Sequence, residues 1–440
     1  MEYIGRIEME MLNTFIKEQF HISEDVLEYC IKKEQEIQSQ FKRIEEIAEY
    51  NQLKVLAAMQ KNKLSDVHFA ATTGYGYNDL GRDVLEQIYA DVFHAESGLV
   101  RPQLISGTHA LTVALAGNLR PGDEILSPVG VPYDTLQGVI GIRKERGSLS
   151  EYGITYRQVD LLPDYSFDYP AIEKAIHAKT KLVTIQRSKG YAWRPAFTVD
   201  EIKELIAFIK SVKKDVICMV DNCYGEFVEI TEPTEVGADL AVGSLIKNPG
   251  GGLAPIGGYI VGKEEYVENA AYRLTSPGLG KEVGATLGIT SSFIQGFFMA
   301  PQVVCGSMKT ALFASKIFEG LGYAVLPKSQ DKRGDIVQLI QMDIPENVIA
   351  FCQGIQKGAP VDSYVTPEPW DMPGYDCPVI MAAGAFVQGS SIELSADAPI
   401  KPPYNVYMQG GLSWHHGKMG VMMGLQTMRD KNLIEINKLK

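Results

Sequence analysis

Ala241-Val-Gly-Ser-Leu-Ile-Lys-Asn-Pro-Gly-Gly-Gly252 places a lysine, Lys247, directly after an apolar run and just ahead of three glycines. The run Leu240–Ser244 reads as a buried strand, so Lys247 stands where that strand leaves the interior. An ammonium is costly to bury without a partner. Imine formation with an aldehyde cofactor removes the free charge and makes the nitrogen the reactive group, which explains the position. Gly250 to Gly252 let the backbone approach closely or take positive φ.

Twenty residues upstream, Val216-Ile-Cys-Met-Val-Asp221 is a second apolar run, ending in a carboxylate. An acid at a strand end either caps a turn or pairs with a protonated ring nitrogen, which lets pyridoxal 5′-phosphate act as an electron sink. Ile105-Ser106-Gly107-Thr108 closes a strand and opens an apolar helix. Such a terminus is an ordinary Ser cap or a phosphate cradle of free N–H groups. Tyr133 lies in Pro128-Val-Gly-Val-Pro-Tyr, after a further strand. An aromatic there is a half-buried tyrosine or a ring that stacks on a flat ligand, since the carboxyl ends of parallel strands face the ligand crevice. Neither Gly-x-x-x-x-Gly-Lys-Ser/Thr nor a Gly-x-Gly-x-x-Gly that opens a helix occurs, so nucleotide loops are not supported.

From about residue 98 to 262, strand-like and helical runs alternate, as in an α/β fold whose mostly parallel sheet is covered on both faces. Helical spacing spans 23–60, 270–275 and 284–319, a strand is expected at 336–342 and a helix at 346–356. A loop at 359–378 precedes short strands over 379–394 and a helix at 414–429. Residues 1–65 form an N-terminal helical arm, 66–300 a large cofactor-binding domain and 301–440 a C-terminal small domain, so that the smaller domain is built from both termini.

The 440 residues carry a net charge of -12 with no Lys/Arg-rich block, which disfavours nucleic acid and anionic membrane and favours a small-molecule partner. Residues 1–20 mix charged and apolar side chains, unlike a signal peptide or membrane span, so a cytoplasmic location is expected. The six cysteines contain no Cys-x-x-Cys pair and read as free thiols, and adjacent His415 and His416 lack partners at ligand spacing, so no metal site is expected.

The wording of five segments is more specific. Residues 75–82 (Tyr-Gly-Tyr-Asn-Asp-Leu-Gly-Arg), 186–195 (Gln-Arg-Ser-Lys-Gly-Tyr-Ala-Trp-Arg-Pro), 220–227 (Val-Asp-Asn-Cys-Tyr-Gly-Glu-Phe), 247–252 and 388–397 (Gln-Gly-Ser-Ser-Ile-Glu-Leu-Ser-Ala-Asp) resemble the methionine γ-lyase-like family. Its members are often labelled aluminium-resistance or cystathionine β-lyase-like proteins, and the resemblance runs from about residue 65 to the end. It implies the aspartate-aminotransferase-like fold (fold type I), pyridoxal 5′-phosphate as cofactor, and a homodimer or homotetramer with shared active sites. By matching position, Lys247 holds the cofactor and moves protons, Asp221 holds the ring nitrogen, and Tyr133 stacks on the ring. Ser106, Gly107, Thr108 and Ser244 bind the phosphate, with Tyr77 and Arg82 reaching it from a neighbouring subunit. Arg187, Ser188, Ser390 and Ser391 are the implied substrate contacts. Two departures stand out. Ile246 replaces the hydroxyl residue that precedes the lysine in better-known relatives, and no arginine lies in segment 388–397 to clamp a carboxylate, which leaves that task to Arg187 or Arg194, or a substrate held without the usual clamp.

The activity expected is elimination of a thiol from a sulfur-containing L-amino acid. Transamination, aldol-type cleavage and a non-catalytic cofactor-binding role in stress tolerance are the alternatives, because fold does not determine reaction.

Overall fold

The computed structural model describes residues 2–372 and 377–436. The chain divides into two compact units, one of residues 47–304 and 332–335, the other of 1–46, 305–331 and 336–440.

The first unit is built on a seven-stranded sheet of β1 (Ser97–Arg101), β2 (Glu124–Ser127), β3 (Thr155–Gln158), β4 (Thr180–Gln186), β5 (Ile217–Asp221), β6 (Leu240–Ser244) and β7 (Gly258–Gly262), in the spatial order β1-β7-β6-β5-β4-β2-β3. β7 is antiparallel to both neighbours and the other six strands share one direction, so the carboxyl ends of β1, β2, β5 and β6 open on the same edge. β5 shows why both faces are covered. Ile217 and Met219 pack in a cluster with the helices Gly107–Asn118 and Glu264–Leu274, while Cys218 and Val220 pack with Ile202, Leu205, Ile206 and Ile209 of the helix Val199–Val212. Alternate residues of a strand point to opposite faces, and every residue of β5 is buried, so the strand reads as a continuous apolar run. The helix Val199–Val212 begins on a reciprocal cap: Thr198 accepts from the N–H of Glu201, and the Glu201 carboxylate accepts from the N–H of Thr198.

The second unit holds an antiparallel sheet of β8 (Val325–Leu326), β9 (Gln338–Gln341), β10 (Val379–Ala382), β11 (Ser395–Pro399) and β12 (Asn405–Gln409), ordered β10-β11-β12-β9-β8. The helices Glu24–Gln35, Pro345–Lys357 and Trp414–Asp430 share its apolar core.

Three local expectations change. The helix expected from 284 begins only at Thr290, because Gly284, Leu287 and Gly288 have left-handed φ values of 121°, 54° and 84°. Strand structure does not run through 379–394. There the Glu393 carboxylate accepts the N–H groups of Phe386 and Val387, which stabilises a turn, and pairing resumes at β11. The N-terminus carries a helix, Glu2–Phe20, that the mixed pattern of residues 1–20 did not announce. The expected loop 359–378 includes residues 373–376, which lie outside the described residues.

Candidate active site

Four strand ends supply the site. Every residue of β6 is buried, and the Leu245 N–H donates to the carbonyl of Gly257, which fixes the chain as it leaves the sheet. Lys247 follows, half-buried, with its Nζ 4.0 Å from the centroid of the Tyr224 ring. Among the described residues no carboxylate lies at ion-pair distance from it; the aromatic face is its contact. Burial opposes its charge, but the acidic groups around it, Cys223, Tyr224, Asp221 and Tyr133, outweigh burial and hold the ammonium well above the ordinary lysine range. Asp221 is the carboxylate among them. It is the last residue of β5 and is buried, and its Oδ1 accepts the Cys223 N–H at 3.2 Å. Burial raises the Asp221 pKa and Lys247 pulls it back.

The helix Gly107–Asn118 points its amino end at the same place. Ser106 caps it, accepting from the His109 N–H, which leaves the N–H groups of Gly107 and Thr108 without intrahelical acceptors. A Cβ on Gly107 would stand 3.2 Å from Cβ of Ser244 and 3.6 Å from Sγ of Cys223, so glycine here is what seats the helix end against β6 and the turn after β5. The Thr108 hydroxyl meets that of Thr135 at 2.7 Å, which ties this terminus to the segment of Tyr133. Tyr133 is held from below by Gln186, whose Oε1 accepts its N–H at 2.7 Å, and its ring lies 6.2 Å from that of Tyr191. Gly190, at φ 55°, admits the Tyr133 ring, which a Cβ would approach to 3.2 Å.

The structure therefore brings Ser106, Gly107, Thr108, Tyr133, Asp221, Ser244 and Lys247 to one edge of one sheet. Pyridoxal 5′-phosphate fits this set: a dipole end with free N–H donors and the Ser244 hydroxyl suit its phosphate, and a buried carboxylate suits its ring nitrogen. A lysine whose ammonium finds only an aromatic face suits its aldehyde.

Arg187, Ser188 and Arg194 are engaged in the interior of the same unit. Arg187 is fully buried, and its guanidinium donates to the Phe197 and Gly225 carbonyls, Asn222 Oδ1 and Glu229 Oε1, with Glu232 at 3.8 Å. Its guanidinium is engaged by these interior partners. Arg194 is likewise buried and donates to the carbonyls of Pro195, Gln186 and Ser188; burial lowers its pKa to about 10. The Ser188 hydroxyl donates to Asp335, which also accepts from Lys189 Nζ at 2.9 and 3.1 Å. Ser390 and Ser391 belong to the other unit, in the turn ahead of β11. Tyr77 is exposed, 57%, beside Tyr75. Arg82 is turned inward at 2% exposure, paired with Asp83 and donating to the carbonyls of Gly76 and Gly284, so it anchors the Tyr77 loop rather than extending from it.

Tyr224, Cys223 and Gln186 were not singled out from the sequence. Tyr224 takes φ 70°, uncommon for a bulky side chain and a mark of functional segments, but backbone angle is invisible in a motif. Among the described residues, no group of three His, Cys, Asp or Glu stands together as metal ligands, and no helix is long and apolar enough to cross a membrane.

Residues 26–429 match the family model described as methionine gamma-lyase. The protein YnbB of Bacillus subtilis (strain 168) is 54% identical over 407 residues, 92% of this chain and 97% of that one. A solved structure from Clostridium novyi NT, described as a carbon-sulfur lyase involved in aluminum resistance, superposes with a TM-score of 0.91 at 50% identity, covering 94% of this chain and 98% of that one. The L-methionine gamma-lyase of Porphyromonas gingivalis is 31% identical over 195 residues, 44% of this chain and 45% of that one.

Proposed function

This chain belongs to the methionine gamma-lyase family, whose cofactor is pyridoxal 5′-phosphate, and from that premise we propose that it eliminates a thiol from a sulfur-containing L-amino acid. The observation that carries this reading is the meeting of Lys247, Asp221 and the amino end of the helix Gly107–Asn118 at one sheet edge.

The bound cofactor supplies an electron sink for negative charge that develops on the substrate carbons. Gly107 and Thr108 donate their N–H groups, and Ser244 its hydroxyl, to the phosphate. Ile246 offers none, so the cradle leans on the helix end. Asp221 Oδ atoms hold the proton on the ring nitrogen, and burial strengthens that interaction by excluding water. Lys247 Nζ would hold the cofactor's aldehyde and, as a free amine, would take the proton from the substrate Cα, with Tyr224 beneath it to hold the amine in place. Tyr133, fixed through Gln186, faces the leaving sulfur as a proton donor. A homodimer or homotetramer completes the site, with Tyr77 reaching the neighbour's phosphate. The exposure of Tyr75, Tyr77, Leu80 and Leu287 on adjoining segments supports such a contact.

The cofactor-loaded protein is offered a panel of sulfur-containing L-amino acids, and keto acid and thiol are measured together. Equal release of both is the expected result. Keto acid formed only when a second keto acid is supplied would replace elimination with transamination.

A further inference from the structure

Lys247 leaves β6 on a segment with little regular structure to hold it. Ser244 is the last strand residue and a short turn spans Asn248–Gly250, while Lys247 itself keeps an irregular backbone, φ -112° and ψ -147°. Its ammonium nevertheless lies 4.0 Å over a ring on a different segment, that of Tyr224 in the turn after β5. That turn is clamped from its own side, where Arg187 donates to Asn222 Oδ1 at 2.8 Å and to the Gly225 carbonyl at 3.0 Å. The lysine segment is seated by its glycines, since a Cβ on Gly250 would collide with the Leu245 carbonyl and one on Gly251 with that of Gly296.

Asn248, the residue after Lys247, joins the two. Its side chain is fully buried, and its Nδ2 donates to the carbonyl of Glu226 at 3.0 Å, in the same turn as Tyr224. The Lys247 ammonium and the neighbouring Asn248 amide thus meet one turn at two points, the Tyr224 ring and the Glu226 carbonyl. Packing alone does not account for an amide at this position. Its Oδ1 is buried without a hydrogen-bond partner, a penalty that an apolar side chain would not carry. What the asparagine contributes is therefore the bond from Nδ2.

We propose that Asn248 is a positioning residue of this site: by tying the lysine segment to the turn after β5, it sets the height of Lys247 Nζ over the Tyr224 ring. The proposal rests on Lys247 being the residue that binds the cofactor, and its turnover arm rests on the elimination reading. Loosening the tie has consequences of opposite sign. An ammonium held on the ring is withheld from an aldehyde, which only the free amine attacks, so release from the ring speeds capture of the cofactor. The same release leaves the amine misplaced for the substrate Cα, so turnover falls.

The test is a double-mutant cycle of Asn248→Ala and Tyr224→Leu. Cofactor-free Asn248→Ala is expected to regain the visible band about threefold faster than the wild type at pH 7. Its kcat in the loaded form should fall by about tenfold or more at nearly unchanged KM. The double variant should regain the band at the rate of Tyr224→Leu alone, because without the ring the tie has nothing left to set. Capture and turnover that fall together mark a merely structural role and overturn the proposal. Unchanged rates overturn it too, as do capture effects that multiply in the double variant. Should Asn248→Ala not fold, Asn248→Ser, whose shorter side chain falls short of the Glu226 carbonyl, decides on the same rates. Capture needs no turnover, so a wild type that releases no thiol overturns the elimination reading and leaves Asn248 to the capture cycle. A visible band retained in Lys247→Ala overturns the premise and the role of Asn248 with it.

Discussion

Lys247 Nζ stands 4.0 Å over the ring of Tyr224, held by an aromatic face rather than by an ion pair. Only the free amine captures an aldehyde, and Lys247 is held above the ordinary lysine range, so capture is limited by deprotonation. The rate at which cofactor-free protein regains its visible band should rise by about tenfold per pH unit between pH 7 and 9. Tyr224→Leu removes the attraction for the cation and should speed capture at pH 7 by about threefold or more. Rapid-mixing absorbance measures both; a flat profile would mean the amine is already free.

Lys247→Ala should lose the visible band while cofactor still binds noncovalently through the helix end at Gly107. Borohydride reduction and peptide mapping of the wild type should label Lys247. A label on another lysine would move the site.

Asp221→Asn preserves shape and removes charge. A neutral amide cannot hold the ring nitrogen protonated, so turnover should fall by about 100-fold or more with little change in thermal stability. Turnover near the wild-type value would take the ring-nitrogen role away from this residue.

Arg187→Ala separates the interior role of this arginine from substrate binding. Removing it leaves Glu232 and Glu229 without their cation, and should cost about 3–5 kcal/mol in denaturant unfolding. A protein of unchanged stability with a raised KM would restore Arg187 as a substrate contact.

Mixed oligomers test the shared site. Inactive Lys247→Ala subunits exchanged with Tyr77→Ala subunits should recover part of the lost activity, since a mixed dimer can hold one centre with both intact residues. No recovery, with exchange confirmed by mass, would confine Tyr77 to its own subunit.

What was legible in the sequence was local. Lys247 and Asp221 stood out because each ends a run of apolar residues, and such a run records its own burial whatever it packs against. The Ser106 cap and the Gly107 turn were equally short-range signals. Once the strands were read as parallel, their carboxyl ends had to open on one edge, so the meeting of these residues followed from topology.

The sequence by itself therefore determined the fold class, the family and the strand-end residues of the site, because these depend on periodicity and on contiguous motifs. The tertiary structure alone decided which charges meet. Ser188 is bound to Asp335, 147 positions away, and Arg187 is consumed by Asn222 and Glu229, so two residues read as substrate contacts became parts of the interior. Glu226, in the turn after β5, and Tyr259, on β7, share a hydrogen bond 33 positions apart, in a space that the missing side chain of Gly243 leaves open. A charge is inexpensive to bury only beside its partner, and partners are chosen by how strands and loops pack, which no single segment of the chain records.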